Sequence, residues 1–235
     1  MEHNQSLASF YDQLSTEAQK DLLSIGSKLI VQKGNLIIQE GDWPDHIYLL
    51  RSGKIRISKT TPNGKIFYLE TKKHHELVGE LSIFTELTNS FNAEVIEDAT
   101  VFRFERLELE KLLSSHGEMA ETYIRWLASQ NHILLSKFRD LAFCGKQGAL
   151  YSILIRLINE HGEQVEDGFI INRKVTNQEL SNYIGATRES VNRILNGLTL
   201  DGIISIDRKF ITIHDVEYFQ DHLQCNYCQF DQCTI

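Results

Sequence analysis

The chain has 235 residues, 42% of them hydrophobic and only two of them proline, with a formal net charge of −8. Such a length and apolar content support one or two folded cores, and the acidic balance speaks against a protein coated in nucleic acid while leaving room for one basic face. The polar N-terminus, MEHNQSLASFYDQLSTEAQK, lacks the basic-then-apolar run of a signal peptide, and no segment approaches the apolar length that spans a bilayer. The expectation is a soluble, cytoplasmic chain with no membrane partner, whose thiols stay reduced. It has no internal repeat and no low-complexity stretch.

From about residue 20 to residue 105 the chain reads as short strands punctuated by glycine. Asn35–Ile38, His46–Leu50 and Lys54–Ser58 are examples, with turns marked by Gly34, Gly41, Gly53, Gly64 and Gly79. Asn63-Gly64 is a strong hairpin signal. Strands at this spacing without intervening helices predict a compact antiparallel barrel or roll. His74-His75-Glu76 invites a metal reading, but adjacent histidines on a strand point to opposite faces, so exposed turn or strand residues are expected.

From Arg106 to Phe143 the composition turns to Leu, Glu, Ala and Lys, and Gly117 separates two predicted helices. In the second, Ala120, Ile124, Leu127, Asn131, Leu134, Phe138 and Leu141 recur at alternating steps of four and three. That heptad seam predicts a helix lying along a partner helix, hence a homodimer, with Asn131 setting register. The other reading is an amphipathic helix packed on its own domain. Gly145 is the predicted C-cap.

Lys146 to Phe219 forms a second domain. Leu150–Ile158 has helical periodicity, two shorter helices follow, and Ile203–Ile206 with Phe210–Ile213 flank a turn at Asp207-Arg208-Lys209. A hairpin after helices is the wing of a winged-helix module. Within it, Thr176 and Glu179 make a capping box, Gly185 supplies a tight turn, and Thr187 caps a helix starting at Arg188. Leu180, Ile184, Val191, Ile194, Leu195 and Leu198 are the predicted buried faces, which leaves Arg188, Glu189, Asn192 and Arg193 on the solvent face. The N-terminal end of such a helix enters the DNA major groove, where Arg bonds guanine and Glu accepts from cytosine. Thr187 and Ser190 flank these readers. Between Arg173 and Lys209 six basic residues face four acidic ones, so the helix-turn-helix carries a local positive balance. Double-stranded DNA is the predicted partner. No nucleophile–base pair or phosphate loop stands out, so no enzyme is predicted and no catalytic residue is named.

These residues resemble the CRP/FNR family of bacterial transcription regulators over nearly the whole chain. Val78-Gly-Glu-Leu-Ser-Ile-Phe84 is similar to the family's Gly-Glu-Leu signature, and Thr187-Arg-Glu-Ser-Val-Asn-Arg193 to its recognition-helix signature. The resemblance implies an α+β fold: an antiparallel β-roll of cyclic-nucleotide-binding type (1–116), a dimerisation helix (117–145), a winged helix-turn-helix (146–219) and a tail (220–235). It also implies palindromic TGTGA-like sites read by Arg188, Glu189 and Arg193, and RNA polymerase as a partner. Cyclic-nucleotide binders of the family carry an Arg some ten residues after Gly-Glu-Leu. Thr85–Ala93 holds no Arg or Lys, so no cyclic nucleotide is expected here.

The signal is expected at the C-terminus. Cys225, Cys228 and Cys233, in CNYCQFDQC, are three of the four cysteines. Three soft thiolates at this spacing suit an iron–sulfur cluster or zinc. A fourth ligand is missing, with Cys144 the soft and Asp140 the hard candidate. The resemblance tilts both choices, since FNR-type regulators of bacilli carry C-terminal cysteines and use an aspartate of the dimer helix. It implies an oxygen-responsive regulator with one cluster per subunit, 4Fe–4S in type, held by Cys225, Cys228, Cys233 and Asp140. The alternatives are a tail that is a structural zinc site or a thiol switch, and, from another class, a non-DNA interaction module.

Overall fold

The computed structural model describes residues 8–224. It forms two compact units, one from Leu7 to Gln130 and one from Asn131 onward.

In the first unit, α1 (Phe10–Gln13) and α2 (Thr16–Ser24) precede six strands: β1 (Gly26–Val31), β2 (Leu36–Ile38), β3 (His46–Thr60), β4 (Ile66–Lys72), β5 (Leu77–Val78) and β6 (Asn92–Glu105). They pair antiparallel in the order β1-β6-β3-β4, with β2 added to β6 and β5 to β3. This is the expected roll. Its long strands β3 and β6 bend where their register slips between Leu50 and Ile55. Gly53 sits at that slip with φ +88°, and a Cβ there would meet the Asp98 carbonyl at 2.4 Å, so only glycine fits. The Asn63-Gly64 turn joins β3 to β4, closed by the Thr61 amide on the Lys65 carbonyl at 2.8 Å.

Two apolar cores follow from the alternation of the strands. Leu50, Ile55, Val95 and Val101 fill the inside of the roll. Ile47, Leu49 and Phe104 point the other way, onto Phe10, Leu22, Leu109 and Trp126 from the helices. Burying side chains of this kind stabilises by about 1.5–3 kcal/mol each. Beyond a 3-10 turn at Glu80–Ser82, α3 (Arg106–Ser115) leads into α4 (Gly117–His161).

α4 is broken at Gly145, whose φ of 60° and ψ of −159° are non-helical. Before the break, two faces separate cleanly. Met119, Tyr123 and Trp126 are buried against the roll's outer core, while Ile124, Leu134 and Phe138 are 65, 54 and 66% exposed. The helix therefore packs on its own domain through one face, to which Leu127 of the heptad seam also contributes, and leaves Ile124, Leu134, Phe138 and Leu141 of that seam exposed. α4 is also long and apolar enough to cross a membrane by those two criteria, which was not expected; 61% of the qualifying window is buried within the protein.

In the second unit, the rest of α4 is followed by β7 (Gly162–Val165), β8 (Gly168–Ile171), α5 (Asn177–Tyr183), α6 (Arg188–Leu200), β9 (Ile204–Asp207), β10 (Phe210–Ile213) and α7 (Val216–His222). The strands form one sheet in the order β7-β8-β10-β9, so the expected wing hairpin β9–β10 is half of a larger sheet.

His74 and His75 lie in a turn and His74 is exposed, as expected. They do not, however, point to opposite faces: their rings stack with centroids 3.6 Å apart. His75 lies in a turn with φ +67°, not in a strand, so the alternation of a strand does not apply. Its Nδ1 bonds Asp12 Oδ1 at 2.5 Å, and burial depresses its pKa.

Candidate nucleic-acid interface and the end of the long helix

α5 and α6 are set by their caps. The Thr176 hydroxyl accepts the Glu179 amide at 3.1 Å, and the Thr187 hydroxyl accepts the Ser190 amide at 3.2 Å. Leu180, Ile184, Val191, Leu195 and Leu198 are buried and Ile194 is half-buried, which fixes the rotation of α6. Arg188, Glu189, Asn192 and Arg193 consequently stand exposed along its outer face, with Thr187 exposed and Ser190 half-buried at its start. Every predicted reader is brought to one surface. The Asn177 amide donates to Asn192 Oδ1 at 3.1 Å and orients that side chain. The Glu189 carboxyl is held below its ordinary pKa by its own backbone amide, the Thr187 hydroxyl and Arg188, so it stays an ionised acceptor.

Four further cations lie between Arg173 and Lys209, and three of them face solvent. Arg173 is taken up by Glu179 at 2.8 Å and braces the start of α5. Lys174, Arg208 and Lys209 are exposed and, among the described residues, join no ion pair, like Arg188 and Arg193. Arg208 and Lys209 form the wing turn with φ of 45° and 74°, a left-handed region costly for side chains of this size. The Lys209 carbonyl accepts the Val175 amide at 2.9 Å, which ties the wing tip to the segment that carries Lys174. The arrangement is a helix end bearing groups able to bond base edges, flanked by positive charge suited to phosphates.

The predicted ligands Cys225, Cys228 and Cys233 lie outside the described residues. Among the described residues no group of three metal-ligating side chains converges. Asp140, the expected hard ligand, is buried at 4% exposure. Arg139 Nε and Nη2 donate to its Oδ1 at 3.0 and 2.7 Å, and the Ser152 hydroxyl donates to its Oδ2 at 2.7 Å. Arg156, fully buried, approaches Oδ2 at 3.7 Å and donates to the Ser152 and Ser136 hydroxyls. This network bridges the Gly145 break. Cys144, half-buried one turn after Asp140, has its Sγ 3.9 Å from the His222 carbonyl near the end of α7. A Cβ on Gly148 would collide with Cys144 and touch Leu223, so glycine lets the end of α7 close on Cys144. Tyr151 packs on Phe219 and His222 at 4.7 and 4.9 Å and holds α7 there.

Residues 28–116 match the cyclic nucleotide-binding domain, and residues 149–221 match the Crp-like helix-turn-helix domain. The chain is 38% identical over 226 residues to the anaerobic regulatory protein of Bacillus subtilis, covering 95% of both. The chain belongs to the CRP/FNR family of transcription regulators. A CRP-like cAMP-activated global transcriptional regulator of Mycobacterium tuberculosis is 27% identical over 79% of this chain and 83% of its own. Among solved structures, CooA of Carboxydothermus hydrogenoformans superposes with a TM-score of 0.74 at 16% identity, over 93% of this chain and 97% of its own. As a CRP/FNR regulator the chain is a DNA-binding protein and not an enzyme.

Sequence reasoning counted Lys174, Arg208 and Lys209 in the basic balance of this CRP/FNR regulator but did not name them as site residues. Two bulky residues in a two-residue hairpin turn were the available signal. Nothing in the sequence announced that Arg156 would be buried against Asp140, because the two lie on opposite sides of a helix break.

Proposed function

We propose that this regulator binds palindromic TGTGA-like DNA as a homodimer in the cytoplasm and controls that binding through a 4Fe–4S cluster in each subunit. The observation that carries the reading is the triple-cysteine tail of a chain whose α7 ends against the last turn before Gly145. Similarity to an anaerobic regulatory protein supports the same reading.

The donor set fits such a group. Cys225, Cys228 and Cys233 supply soft thiolates, and Asp140 supplies a carboxylate already held by Ser152 and Arg139, as ligating carboxylates commonly are. A carboxylate has about four lone-pair sites, and Arg139 and Ser152 fill three of them, so a metal would take the remaining site on Oδ2, beside Arg156. Arg156 and Arg139 would offset the negative charge of anionic ligands gathered there. When bound, the cluster supplies a centre that oxygen attacks. The residues do the rest: ligation from both the tail and Asp140 would clamp α7 to the helix end. That clamp would fix the angle at which α6 is presented, about one DNA turn from its partner's copy. Release of the tail thiolates would loosen it and shift the population toward states that bind DNA poorly. Productive binding would then recruit RNA polymerase. The stretch Thr85–Ala93 offers a cyclic phosphate no cation of its own, so the roll takes no cyclic nucleotide.

One observation favours a second ligand set: the Cys144 thiol lies against His222, at the root of the tail. Two comparisons test the proposal. Cys228→Ala should still form dimers but lose specific DNA binding, and wild-type affinity in that variant would sink the cluster reading. Asp140→Ala should lose iron and visible absorption while Cys144→Ala keeps both; the reverse pattern would move the fourth ligand to Cys144.

A further inference from the structure

The β-roll buries a charged pair that DNA recognition does not use. Lys72, the last residue of β4, is 2% exposed, and its ammonium lies 3.0 Å from Glu70 Oε1 and 3.0 Å from Glu80 Oε1. Burial opposes that charge, but Glu70, Glu80 and Glu76 outweigh it and hold the lysine pKa above its ordinary range. Glu80 is itself buried and opens the 3-10 turn Glu80–Ser82, after Gly79 at φ 90°. No side chain caps that turn, and beside Ser82, whose hydroxyl donates to Asn89, Glu80 ties it to two other elements. The side chain meets Lys72, and the backbone carbonyl accepts the Tyr123 hydroxyl of α4 at 2.7 Å. Tyr123 in turn lies 5.9 Å from Trp126 and 5.4 Å from Phe10, ring to ring. One residue thus joins β4 through its carboxylate and α4 through its main chain.

The neighbouring loop is closed in the same manner. Lys59 donates to Glu40 Oε1 at 2.7 Å and to the Ser90 carbonyl at 3.3 Å, so a cation that reaches the Thr85–Ala93 stretch is already paired.

We propose that Lys72 is a built-in occupant of the roll: it stands against Glu80 in place of a bound ligand and, through Glu80 and Tyr123, sets the seat of α4. The physical reason is the asymmetry of buried ions. Without Lys72 the Glu80 carboxylate is buried unpaired, so the 3-10 turn must swing toward water and carry Tyr123's acceptor with it. Replacing both charges by neutral groups removes that drive. The inference stands apart from the cluster reading and from its ligands.

The test uses full-length protein carrying Trp43→Phe, so that Trp126, 2% exposed, is the remaining tryptophan. Lys72→Met should shift Trp126 emission to the red and raise its quenching by acrylamide. Tyr123→Phe should do the same to a smaller extent with unchanged far-ultraviolet dichroism. Lys72→Met combined with Glu80→Gln should return the spectrum toward the parent. Should Lys72→Met alone fail to fold, the double variant and Tyr123→Phe still decide. Millimolar cyclic AMP should change neither the parent's emission nor its DNA binding. An unchanged Trp126 in Tyr123→Phe, no recovery in the double variant, or a response to cyclic AMP would each overturn the proposal.

Discussion

Arg188 and Arg193 carry the strongest expectation at the scale of single residues, because they are exposed, unpaired among the described residues and held by a buried helix face. Alanine at either should cost about 1–3 kcal/mol of discrimination if the contact is bidentate to guanine. Lys174→Ala should instead weaken specific and non-specific DNA alike and lower the salt slope by about one. Equal losses on all sequences for the arginines would remove them from base reading. His75 gives a pH dependence whose sign follows from its environment. Burial depresses its pKa more than the Asp12 bond raises it, and His74 and Arg51 add to the depression. The unfolded chain therefore holds more protons than the folded one below about pH 6.5, so stability rises with pH through that window and is lost on acidification. His75→Gln should flatten this part of the urea-midpoint curve. An identical slope in wild type and variant would show that His75 does not titrate as its surroundings require.

At the scale of elements, α4 shows why one helix can serve two partners. Its Met119–Tyr123–Trp126 face is used by the roll, and its Ile124–Leu134–Phe138 seam is left for a second helix. Phe138→Glu, at a position already 66% exposed, should change the stability of the single chain by no more than about 0.5 kcal/mol. It should convert dimer to monomer in sedimentation and abolish cooperative binding to two half-sites; a stable dimer would mean that association uses another surface. This seam was legible in the sequence because its spacing is regular, and so were the roll, the recognition helix and its caps, each announced by a glycine turn or a Thr cap. β7 was not, because all four of its residues are exposed and show no alternation. α1 and α7 are too short to display a period. The burial of Asp140 and of Lys72 was not legible either: each depends on a partner delivered by another element, and neither Arg156 nor Glu80 stands in a helical or strand register with it.

For the molecule as a whole, the charge distribution matches a regulator that meets DNA through one module. The segment Arg173–Lys209 carries +2 against −8 for the chain, which places local attraction at the helix-turn-helix on an acidic background, although Arg51–Lys73 of the roll is also basic. The polar network of Asp140, Ser152 and Arg156 spans the Gly145 break, so the joint between dimer helix and DNA-binding module is held by buried charge. Arg156→Ala should be costly there, about 3–5 kcal/mol in unfolding free energy, since it leaves Asp140 without its buried cation. A loss under about 1 kcal/mol would mean that Arg139 alone satisfies the carboxylate. The central claim is that the state of this joint answers to oxygen through the tail. It is tested most directly by purifying the protein without oxygen, measuring iron, acid-labile sulfide and zinc, and following the visible spectrum as air is admitted. Matching iron and sulfide with a brown colour that bleaches is the predicted result. Colourless protein holding zinc, or no metal, would contradict it.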